Sequence, residues 1–450
     1  MRQAVEIFFY RLYTEVQKMK KDDRFWNRVI ETMPRSDLEI LQLSRFNRTL
    51  ADAARSKNYR GRLPERVQSL EEVRTLPFTE KRDLRNGFPD GFICVPLEDI
   101  IRLHSSSGTT GSSTVVYHTR EDIDKWSELV ARSMYMTGVR ADDVFQNMMG
   151  YGLFTGGLGL HYGSEKLGSL TIPASSGNSK RQIKLMKDFG TTVIHITPSY
   201  ALHLYTIFEE EGIDPLRDLN LRIAFLGAEP YSEETRKKIE SLYGLRAFNS
   251  YGLSEMNGPG VAFECEEQNG MHLWEDSYFL EVIDPATGNV LEEGQEGELV
   301  LTTLQREGMP IIRYRTGDIA AVFPESCPCG RTHRRISRIK GRSDDMLIIK
   351  GVNIYPVQVE KVLMDIPGIG HNYLIEIENV DHLDTMRIKV EVVQEIFHGD
   401  IRELEGLKRR IVEELKNEII VRPQVILVEP NSLPKSEGKA VRVLDLRNKR

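Results

Sequence analysis

Four short segments contain residue types that could bind a nucleotide and act on it. Residues 105–113 read SSSGTTGSS, and such small residues let backbone N–H groups close around phosphate oxygens, although the Gly-Lys-Ser/Thr of the common P-loop does not follow. Tyr251 could lie beside a flat base, and Glu255 could hold Mg²⁺, which prefers carboxylate ligands. Asp318 could accept hydrogen bonds from both hydroxyls of a ribose. Lys439 could reach a developing negative charge.

Each segment has a simpler interpretation when it is taken alone. The small-residue run could be a flexible surface loop, and YGLSE could be an ordinary exit from a strand. The aspartate of RYRTGD could satisfy the backbone of its own turn, and the lysine of PKSEGK could belong to a solvated basic tail. The four motifs gain weight because they occur together and in one order along the chain.

A second group of residues has the chemistry of a metal site. Cys327 and Cys329 lie in CPCGR, and Cys265 and His272 lie earlier in ECEEQNGMHLWED. Three thiolates and an imidazole suit tetrahedral Zn²⁺, although the single residue between the two cysteines of CPC is fewer than usual. The alternative is a set of buried, inert cysteines. The polar segments around these residues favour a structural zinc, whereas Cys94, in GFICVP, is expected in the core.

The composition excludes several classes of protein. The 450 residues, 40% hydrophobic and 28% charged, predict two or three domains. A net charge of −7 argues against general nucleic-acid binding, which leaves a basic footprint. No apolar run approaches the roughly 18 residues of a membrane span. Phe8, Leu12 and Val16 predict an amphipathic N-terminal helix rather than a signal peptide. We therefore expect a cytoplasmic protein without nucleic-acid or membrane partners.

An alternation of strands and helices in the middle of the chain predicts an α/β fold with a largely parallel sheet. Helices are predicted over Asp122–Met136, Ser199–Glu211 and Ser232–Tyr243, and strands over Thr192–Thr197 and Leu221–Leu226. The stretch from 279 to 323 is strand-like and rich in turns.

The C-terminal part predicts a small α+β domain. Its predicted elements are a strand at Met386–Val393, a helix with an apolar stripe at Leu407, Ile411, Leu415 and Ile419, and a final strand at Val425–Val428. GRSDD at 341–345 is polar and begins with glycine, as expected for an exposed linker. We therefore expect domains at 1–340 and 346–450, joined by a hinge at 341–345.

Taken together, these motifs resemble those of the adenylate-forming acyl-CoA synthetases, and most closely the phenylacetate–CoA ligase family. The resemblance extends from about Phe25 to Val443. The matching stretches are FWN at 25–27, LPFTEKRDLR at 76–85, SSGTTG at 106–111, YGLFTGGLGLHYG at 151–163, GAEP at 227–230, YGLSE at 251–255, WED at 274–276, PIIRYRTGD at 310–318, GRSDDMLIIKGVNIYP at 341–356 and LPKSEGK at 433–439. The resemblance implies a large AMP-binding and acyl-pocket domain followed by a small mobile domain.

The resemblance also implies a role for each matched position. The positions implied to bind ATP or AMP are Ser105, Ser106, Ser107, Gly108, Thr109, Thr110, Gly111, Glu229, Tyr251, Asp318 and Arg342. Glu229 and Tyr251 would flank the adenine, and Asp318 would bind the ribose beside Arg342. The positions implied to line the acyl pocket are Tyr151, Phe154, Thr155 and Gly156, within a wall formed by residues 151–157.

The remaining implied roles concern catalysis and domain movement. Lys439 would touch the α-phosphate and carboxylate during adenylation, and Glu255 would help to hold Mg²⁺. Asp344 matches the hinge position, and Gly351 would line the pantetheine tunnel to coenzyme A. The resemblance leaves the oligomeric state open, with a homodimer among the options.

The sequence departs at two places from patterns common in the superfamily. Many members have Pro-Lys after the phosphate loop, and phenylacetate-type ligases have Gly-Lys-Pro-Thr, whereas this chain has Ser112, Ser113 and Thr114. The loop thus lacks a side-chain cation, so its grip on phosphate would depend more on backbone N–H groups. Asn353 stands where many acyl-CoA synthetases have arginine, as expected for this subfamily.

The resemblance implies an ATP-dependent ligase that forms an acyl-adenylate from an aryl or arylacetic acid, with phenylacetate as the first choice, and passes the acyl group to coenzyme A. One alternative is an adenylyltransferase that stops at the adenylate, like relatives that act on a deazaflavin cofactor. Another is a nucleotide-binding sensor without catalysis, although the joint presence of Lys439, Glu255 and Asp318 argues against it.

Overall fold

The structure is a computed structural model that describes residues 24–105, 114–343, 345–349, 352–380, 383–397, 401–434 and 440–447. Its helices are α1 (Arg28–Glu31), α2 (Arg35–Ala53), α3 (Leu70–Val73), α4 (Lys81–Asn86), α5 (Arg120–Met136), α6 (Thr155–Leu167), α7 (Ser179–Phe189), α8 (Pro198–Glu210), α9 (Pro215–Asp218), α10 (Glu233–Tyr243), α11 (Pro356–Asp365), α12 (Gln394–Phe397) and α13 (Ile401–Ile419). The predicted N-terminal helix with Phe8, Leu12 and Val16 lies outside the described residues.

The strands are β1 (Ile100–Ser105), β2 (Val115–Thr119), β3 (Val144–Asn147), β4 (Leu170–Ile172), β5 (Val193–Ile196), β6 (Ile223–Leu226), β7 (Arg246–Leu253), β8 (Gly258–Glu264), β9 (Met271–Leu273), β10 (Tyr278–Ile283), β11 (Glu296–Thr303), β12 (Tyr314–Ala321), β13 (Arg335–Ile336), β14 (Gly341–Arg342), β15 (Leu347–Ile349), β16 (Val352–Ile354), β17 (Ile369–Val380), β18 (Leu383–Val392), β19 (Gln424–Val428) and β20 (Val443–Asp445). The helices and strands predicted between residues 122 and 243 are confirmed, each within one or two residues.

An eight-stranded sheet with the order β13-β9-β8-β7-β6-β5-β3-β4 forms the centre of the large domain. Its strands β3 to β7 are parallel, which confirms the expected βαβ units. Local signals set the crossover helices: the Thr197 and Ser232 side chains cap α8 and α10, and α10 ends at Gly244 with φ of +65°. Because the carboxyl ends of parallel strands meet at one edge, the segments that follow β3, β6 and β7 converge there.

A separate four-stranded antiparallel sheet has the order β10-β11-β12-β14. In it, Asp318 of β12 pairs with Arg342 of β14. The expectation of an exposed linker over 341–345 is therefore wrong at its start, because Gly341 is buried and Arg342 belongs to a strand. Strands β1 and β2 form an antiparallel pair that flanks the predicted phosphate loop.

The small domain is built on a four-stranded sheet with the order β19-β18-β17-β20. Helix α13 packs on this sheet through Ile411, Leu415 and Ile419, which are buried as the apolar stripe predicts. Val425–Val428 is not the final strand, because β20 follows and pairs in parallel with β17. This strand of three residues follows a polar segment and is too short to produce a recognisable pattern. Among the described residues no helix is both long and apolar enough to cross a membrane.

Candidate active site and metal centre

Tyr251, Asp318 and Arg342 come together although they belong to three separate strands. The Tyr251 hydroxyl donates to Oδ2 of Asp318 over 2.7 Å, and Nη1 of Arg342 donates to Oδ1 over 3.2 Å. Burial and the Asp318 charge raise the pKa of Tyr251 well above its usual range, so its hydroxyl stays protonated and donates. The three residues predicted to bind adenosine thus form one hydrogen-bonded group.

Glu255 lies in the 3₁₀ turn Ser254–Met256, directly after β7. The Tyr314 hydroxyl donates to its Oε1 over 3.2 Å, and Nη1 of Arg306 donates to its backbone oxygen over 2.6 Å. Glu255 is buried, so a cation held by its carboxylate would be largely shielded from water.

Arg306 is a residue that the sequence reasoning missed. It is 3% exposed, and its Nε and Nη2 have no hydrogen-bond partner in the part of the chain that the structure describes. Burial lowers the pKa of this guanidinium, but an arginine stays charged even in such surroundings. Its positive charge lies against the backbone of the turn that carries Glu255. The only sequence signal was a lone arginine after the buried strand β11, and Tyr314, also missed, lay within the RYRTGD motif.

The predicted acyl wall follows β3 at the same edge of the large sheet. Asn147 Nδ2 donates to the Tyr151 hydroxyl over 3.0 Å, and that hydroxyl is 3.2 Å from Nδ1 of His161. Thr155 Oγ1 lies 3.2 Å from Ser254 Oγ, next to the candidate magnesium ligand. The acyl wall and the Ser254–Met256 turn therefore touch.

Ser105, the first residue of the predicted phosphate loop, contacts the acyl wall. Its backbone N–H donates to the Leu153 oxygen over 2.9 Å, so the loop begins against the wall. Within the wall, a Cβ at Gly156 would collide with the Phe154 ring, and one at Gly157 would stand 2.6 Å from the Gly150 oxygen. Gly157 is thus required for this close packing, whereas a side chain at Gly156 would need the Phe154 ring to move.

Glu229 lies on the loop after β6, and its carboxylate accepts hydrogen bonds from two backbone N–H groups. Its Oε1 accepts from the Ser199 N–H over 2.7 Å, and its Oε2 accepts from the Ala440 N–H over 3.0 Å. Burial raises the pKa of Glu229. Its placement beside the adenine stays a prediction, and the structure adds a contact with the segment that follows Lys439.

A cavity of about 530 Å³ lies between the two domains. Glu229 and Arg342 line it from the large domain, while Glu360, Tyr373 and Arg442 line it from the small domain. A space of this volume is within the range of small-molecule sites. The predicted nucleotide residues therefore border an interdomain cleft.

Cys265, His272, Cys327 and Cys329 converge as a buried cluster. One ligand atom from each lies within 4.8 Å of the others, with 3.7 Å between the sulfurs of Cys265 and Cys327. Zn–S bonds of about 2.3 Å in a tetrahedron place sulfurs about 3.8 Å apart. The cluster thus has the donor set and spacing of a closed zinc site, whereas Cys94 is buried elsewhere, as expected for a core residue.

The groups around this cluster fix the orientation of its ligands. His272 Nδ1 donates to the His333 backbone oxygen over 2.9 Å, which leaves Nε2 facing the Cys329 sulfur at 3.3 Å. The Arg331 N–H points at the same sulfur from 3.5 Å. Such outer contacts fix the tautomer of a histidine ligand.

The loop after the CPC pair is tied to the beginning of the described chain. Arg331 Nε donates to Oε2 of Glu31 over 2.7 Å, and both side chains are buried. The Thr332 N–H donates to the Glu31 backbone oxygen, and His333 Nε2 donates to the Ile30 oxygen over 2.9 Å. The metal cluster, the loop and α1 therefore form one unit.

Several predicted site residues lie outside the described residues. They are Ser106, Ser107, Gly108, Thr109, Thr110 and Gly111 of the phosphate loop, the hinge residue Asp344, the tunnel residue Gly351 and the catalytic residue Lys439. Their roles stay predictions from the sequence.

Comparison with protein families assigns both parts of the chain. Residues 45–305 match the AMP-binding enzyme family, and residues 351–447 match the AMP-binding enzyme C-terminal domain. A phenylacetate-coenzyme A ligase of Thermus thermophilus is 45% identical over 439 residues, covering 93% of this chain and 98% of its own. One from Escherichia coli is 40% identical, covering 93% and 97%.

A 2-hydroxyisobutyryl-CoA ligase has been solved in more than one state. With an acyl-adenylate in the postadenylation state, it matches this structure with a TM-score of 0.90, at 29% identity over 95% of this chain and 93% of its own. In the thioesterification state, with adenylate and CoA, it matches with a TM-score of 0.71 at 30% identity, over 96% of this chain and 94% of its own. The relatives and the shared fold agree with the assembled nucleotide group: the chain belongs to the phenylacetate–CoA ligase family, whose members are AMP-forming acid–thiol ligases that join a carboxylic acid to coenzyme A through an acyl-adenylate.

Proposed function

We propose that this ligase acts on an aryl or arylacetic acid, with phenylacetate as the preferred substrate. The observation that carries this proposal is the contact between the acyl wall and the Ser254–Met256 turn, where Thr155 Oγ1 lies 3.2 Å from Ser254 Oγ. The Tyr151 hydroxyl is occupied by Asn147 and His161, so Tyr151 and Phe154 offer the pocket mainly aromatic surface. Four relatives named phenylacetate-coenzyme A ligase, at 40 to 45% identity, support the same substrate class.

In the first step, the acid carboxylate attacks the ATP α-phosphorus and pyrophosphate leaves. Asp318 would hold the ribose hydroxyls with Arg342 beside it, while Tyr251 fixes the carboxylate of Asp318. Little covalent chemistry is asked of the protein, which must align the reactants and offset negative charge. Lys439 would offset negative charge from the small domain, and Arg306 would offset it from its position beside the Ser254–Met256 turn.

The carboxylate in the Ser254–Met256 turn is a ligand of the kind that Mg²⁺ prefers. Glu255 would supply a carboxylate oxygen, and the Tyr314 hydroxyl holds that carboxylate in place. Mg²⁺ held there would supply positive charge that offsets part of the negative charge of the ATP phosphates. Ser254 and Thr155 would keep the turn against the acyl wall.

In the second step, the small domain would turn at Asp344 and remove Lys439 from the site. The same rotation would bring the Gly351 segment to the acyl-adenylate, where the CoA thiol attacks and AMP leaves. A few hinge residues can absorb such dihedral changes. The boundaries 1–340 and 346–450 around 341–345 stay a prediction, with Gly341 and Arg342 paired to the large domain's strand β12.

A pyrophosphate-release screen over aromatic, indolic and aliphatic acids, with and without CoA, tests the substrate class. Phenylacetate should give the highest kcat/KM, and AMP release should require CoA. Higher activity with an aliphatic acid would contradict the proposed pocket. AMP that stays on its acceptor irrespective of CoA would indicate the adenylyltransferase.

We also propose a structural zinc at Cys265, His272, Cys327 and Cys329. All four positions of a tetrahedral ion would be filled by protein, so the metal would hold segments together and take no part in the reaction. The spacing of the ligand atoms and the hydrogen bond from His272 support this assignment. A cytoplasmic location and a homodimer stay predictions.

A further inference from the structure

Glu360, on helix α11 of the small domain, reaches into the large domain. Its Oε1 accepts from the Ser232 N–H over 3.0 Å and from the Thr235 hydroxyl over 2.5 Å. Its Oε2 accepts from the Tyr373 hydroxyl over 3.0 Å, within the small domain. Glu360 is only 7% exposed, so one buried carboxylate joins the two domains.

The acceptor site for this carboxylate is the start of helix α10. The Ser232 side chain caps that helix by accepting from the Thr235 N–H, which leaves the Ser232 N–H for an outside partner. A helix N-terminus favours a negative charge. Glu233, the nearest acid on α10, is neutralised by Arg236 and Arg338. The start of α10 is therefore suited to the carboxylate of Glu360.

A second carboxylate makes the reciprocal contact. Glu229, from the large domain, accepts the Ala440 N–H of the small domain. Glu229 and Glu360 both line the interdomain cavity, so one contact comes from each domain. Hydrogen bonds to a buried charge are among the stronger ones in proteins, and each depends on the relative position of the two domains.

The orientation that these contacts hold can be identified. This structure matches the 2-hydroxyisobutyryl-CoA ligase better in the postadenylation state, with a TM-score of 0.90, than in the thioesterification state, with 0.71. We propose that Glu360 is a positioning residue that holds the small domain in the orientation of the postadenylation state, which precedes thioester formation, and must leave Ser232 and Thr235 before the thioester forms. This inference rests on the proposed two-step function.

The two half-reactions, measured separately, test this role. We expect Glu360→Ala to lower phenylacetate-dependent ATP–pyrophosphate exchange by about 10- to 100-fold, because two hydrogen bonds to a charged acceptor are lost. Thioester formation from supplied phenylacetyl-adenylate and CoA should be unchanged or faster. Thr235→Val, on the other side of the interface, should lower the ratio of pyrophosphate exchange to thioester formation by about 3- to 10-fold. Asp365→Ala, an exposed acid on the same helix, is the matched control.

The double variant Glu360→Ala/Thr235→Val separates a shared contact from two unrelated losses. It should be no worse than Glu360→Ala, because residues in direct contact are not additive. Equal losses in both half-reactions, or additive losses in the double variant, would overturn the proposal. If Glu360→Ala does not fold, the proposal is tested by Thr235→Val alone, through its ratio of pyrophosphate exchange to thioester formation. A parent enzyme without phenylacetate-dependent exchange would instead refute the proposed function.

Discussion

The Tyr251 hydroxyl donates a 2.7 Å hydrogen bond to Asp318 although the two residues lie in different sheets. Tyr251 lies near the end of its strand β7 in the eight-stranded sheet, and Asp318 lies in the four-stranded sheet β10-β11-β12-β14. The bond therefore joins the two sheets at the nucleotide site and orients the carboxylate that would hold the ribose.

The first prediction distinguishes the role of Asp318 in ATP binding from that of Tyr251. Asp318→Ala should raise the KM for ATP at least about tenfold, because it removes a charged acceptor for two ribose hydroxyls. Tyr251→Phe keeps the ring and removes only the orienting bond, so its effect should be about two- to fivefold. Steady-state kinetics with varied ATP would measure both. An equal effect of the two variants would mean that the tyrosine hydroxyl, not the carboxylate, contacts the nucleotide.

The second prediction concerns Lys439. Lys439→Ala should slow pyrophosphate exchange by at least about 100-fold, because removal of a charge-stabilising group typically costs that much. Thioester formation from supplied acyl-adenylate should be spared, since charge no longer develops at the α-phosphate. Lys435→Ala, in the same PKSEGK motif, serves as the control. Loss of both half-reactions to the same degree would exclude this role.

The third prediction concerns the acyl wall. Gly156→Ala would push against the Phe154 ring, and this side chain can turn away more easily than backbone could. We expect the ratio of kcat/KM between phenylacetate and a smaller aliphatic acid to change about tenfold or more. Gly406→Ala, where an added Cβ meets nothing within 4 Å, should leave that ratio unchanged. Unaltered selectivity in Gly156→Ala would place the acyl group elsewhere.

The fourth prediction concerns the metal. Protein purified without added zinc should contain about one equivalent per chain, as a single Cys₃His site requires. Cys327→Ser should lose that metal and lower the melting temperature, because the loop and α1 are held by the same unit. Cys94→Ala removes a thiol outside the cluster and should retain the metal. Metal-free protein in which all four thiols titrate while native would refute the site.

The fifth prediction concerns stability at low pH. Burial alone would raise the pKa of Glu275, but the charges of Arg334 and Arg35 lower it to about 2. Because this is below the value of about 4.5 in the unfolded chain, the stabilisation is present above pH 4.5 and is lost as the pH falls towards 2. Its full size is on the order of 3 kcal/mol.

Glu275→Gln tests this dependence by difference. The free energy of unfolding of the parent, minus that of the variant, should shrink as the pH falls below about 4.5. Denaturant titrations between pH 7 and pH 3 would measure it. Glu39→Gln, which removes an exposed partner of Arg35, serves as the control. A constant difference across this range would mean that Glu275 carries no depressed pKa.

Elements with a regular pattern or clear signals at their ends could be predicted from the sequence, and strands of two or three residues could not. Helix α10 has a serine cap and a terminal glycine, and β5 is an apolar run between turns, so both were predictable. Strands β14 and β20 have two and three residues, and only their partners in the sheet make them strands.

The site shows the same division. Tyr251, Asp318 and Glu255 could be found because they stand in motifs with a distinct order. Arg306 and Glu360 could not, since a single charged residue becomes significant only when the fold buries it beside a partner. The four metal ligands could be proposed from their chemistry, but their convergence depends on the pairing of β9 with β13.

The buried pair of Glu31 and Arg331 also constrains the order of events during synthesis. The two residues are 300 positions apart, so the ribosome makes most of the protein before Arg331 exists. Until then the Glu31 carboxylate has no cation to accompany it into the interior, and an unpaired charge resists burial. The segment of helix α1 therefore stays exposed to water while the residues of the central sheet are synthesised. A nascent chain stalled before residue 327 should leave this N-terminal region open to protease, and one extended past residue 340 and clear of the exit tunnel should protect it.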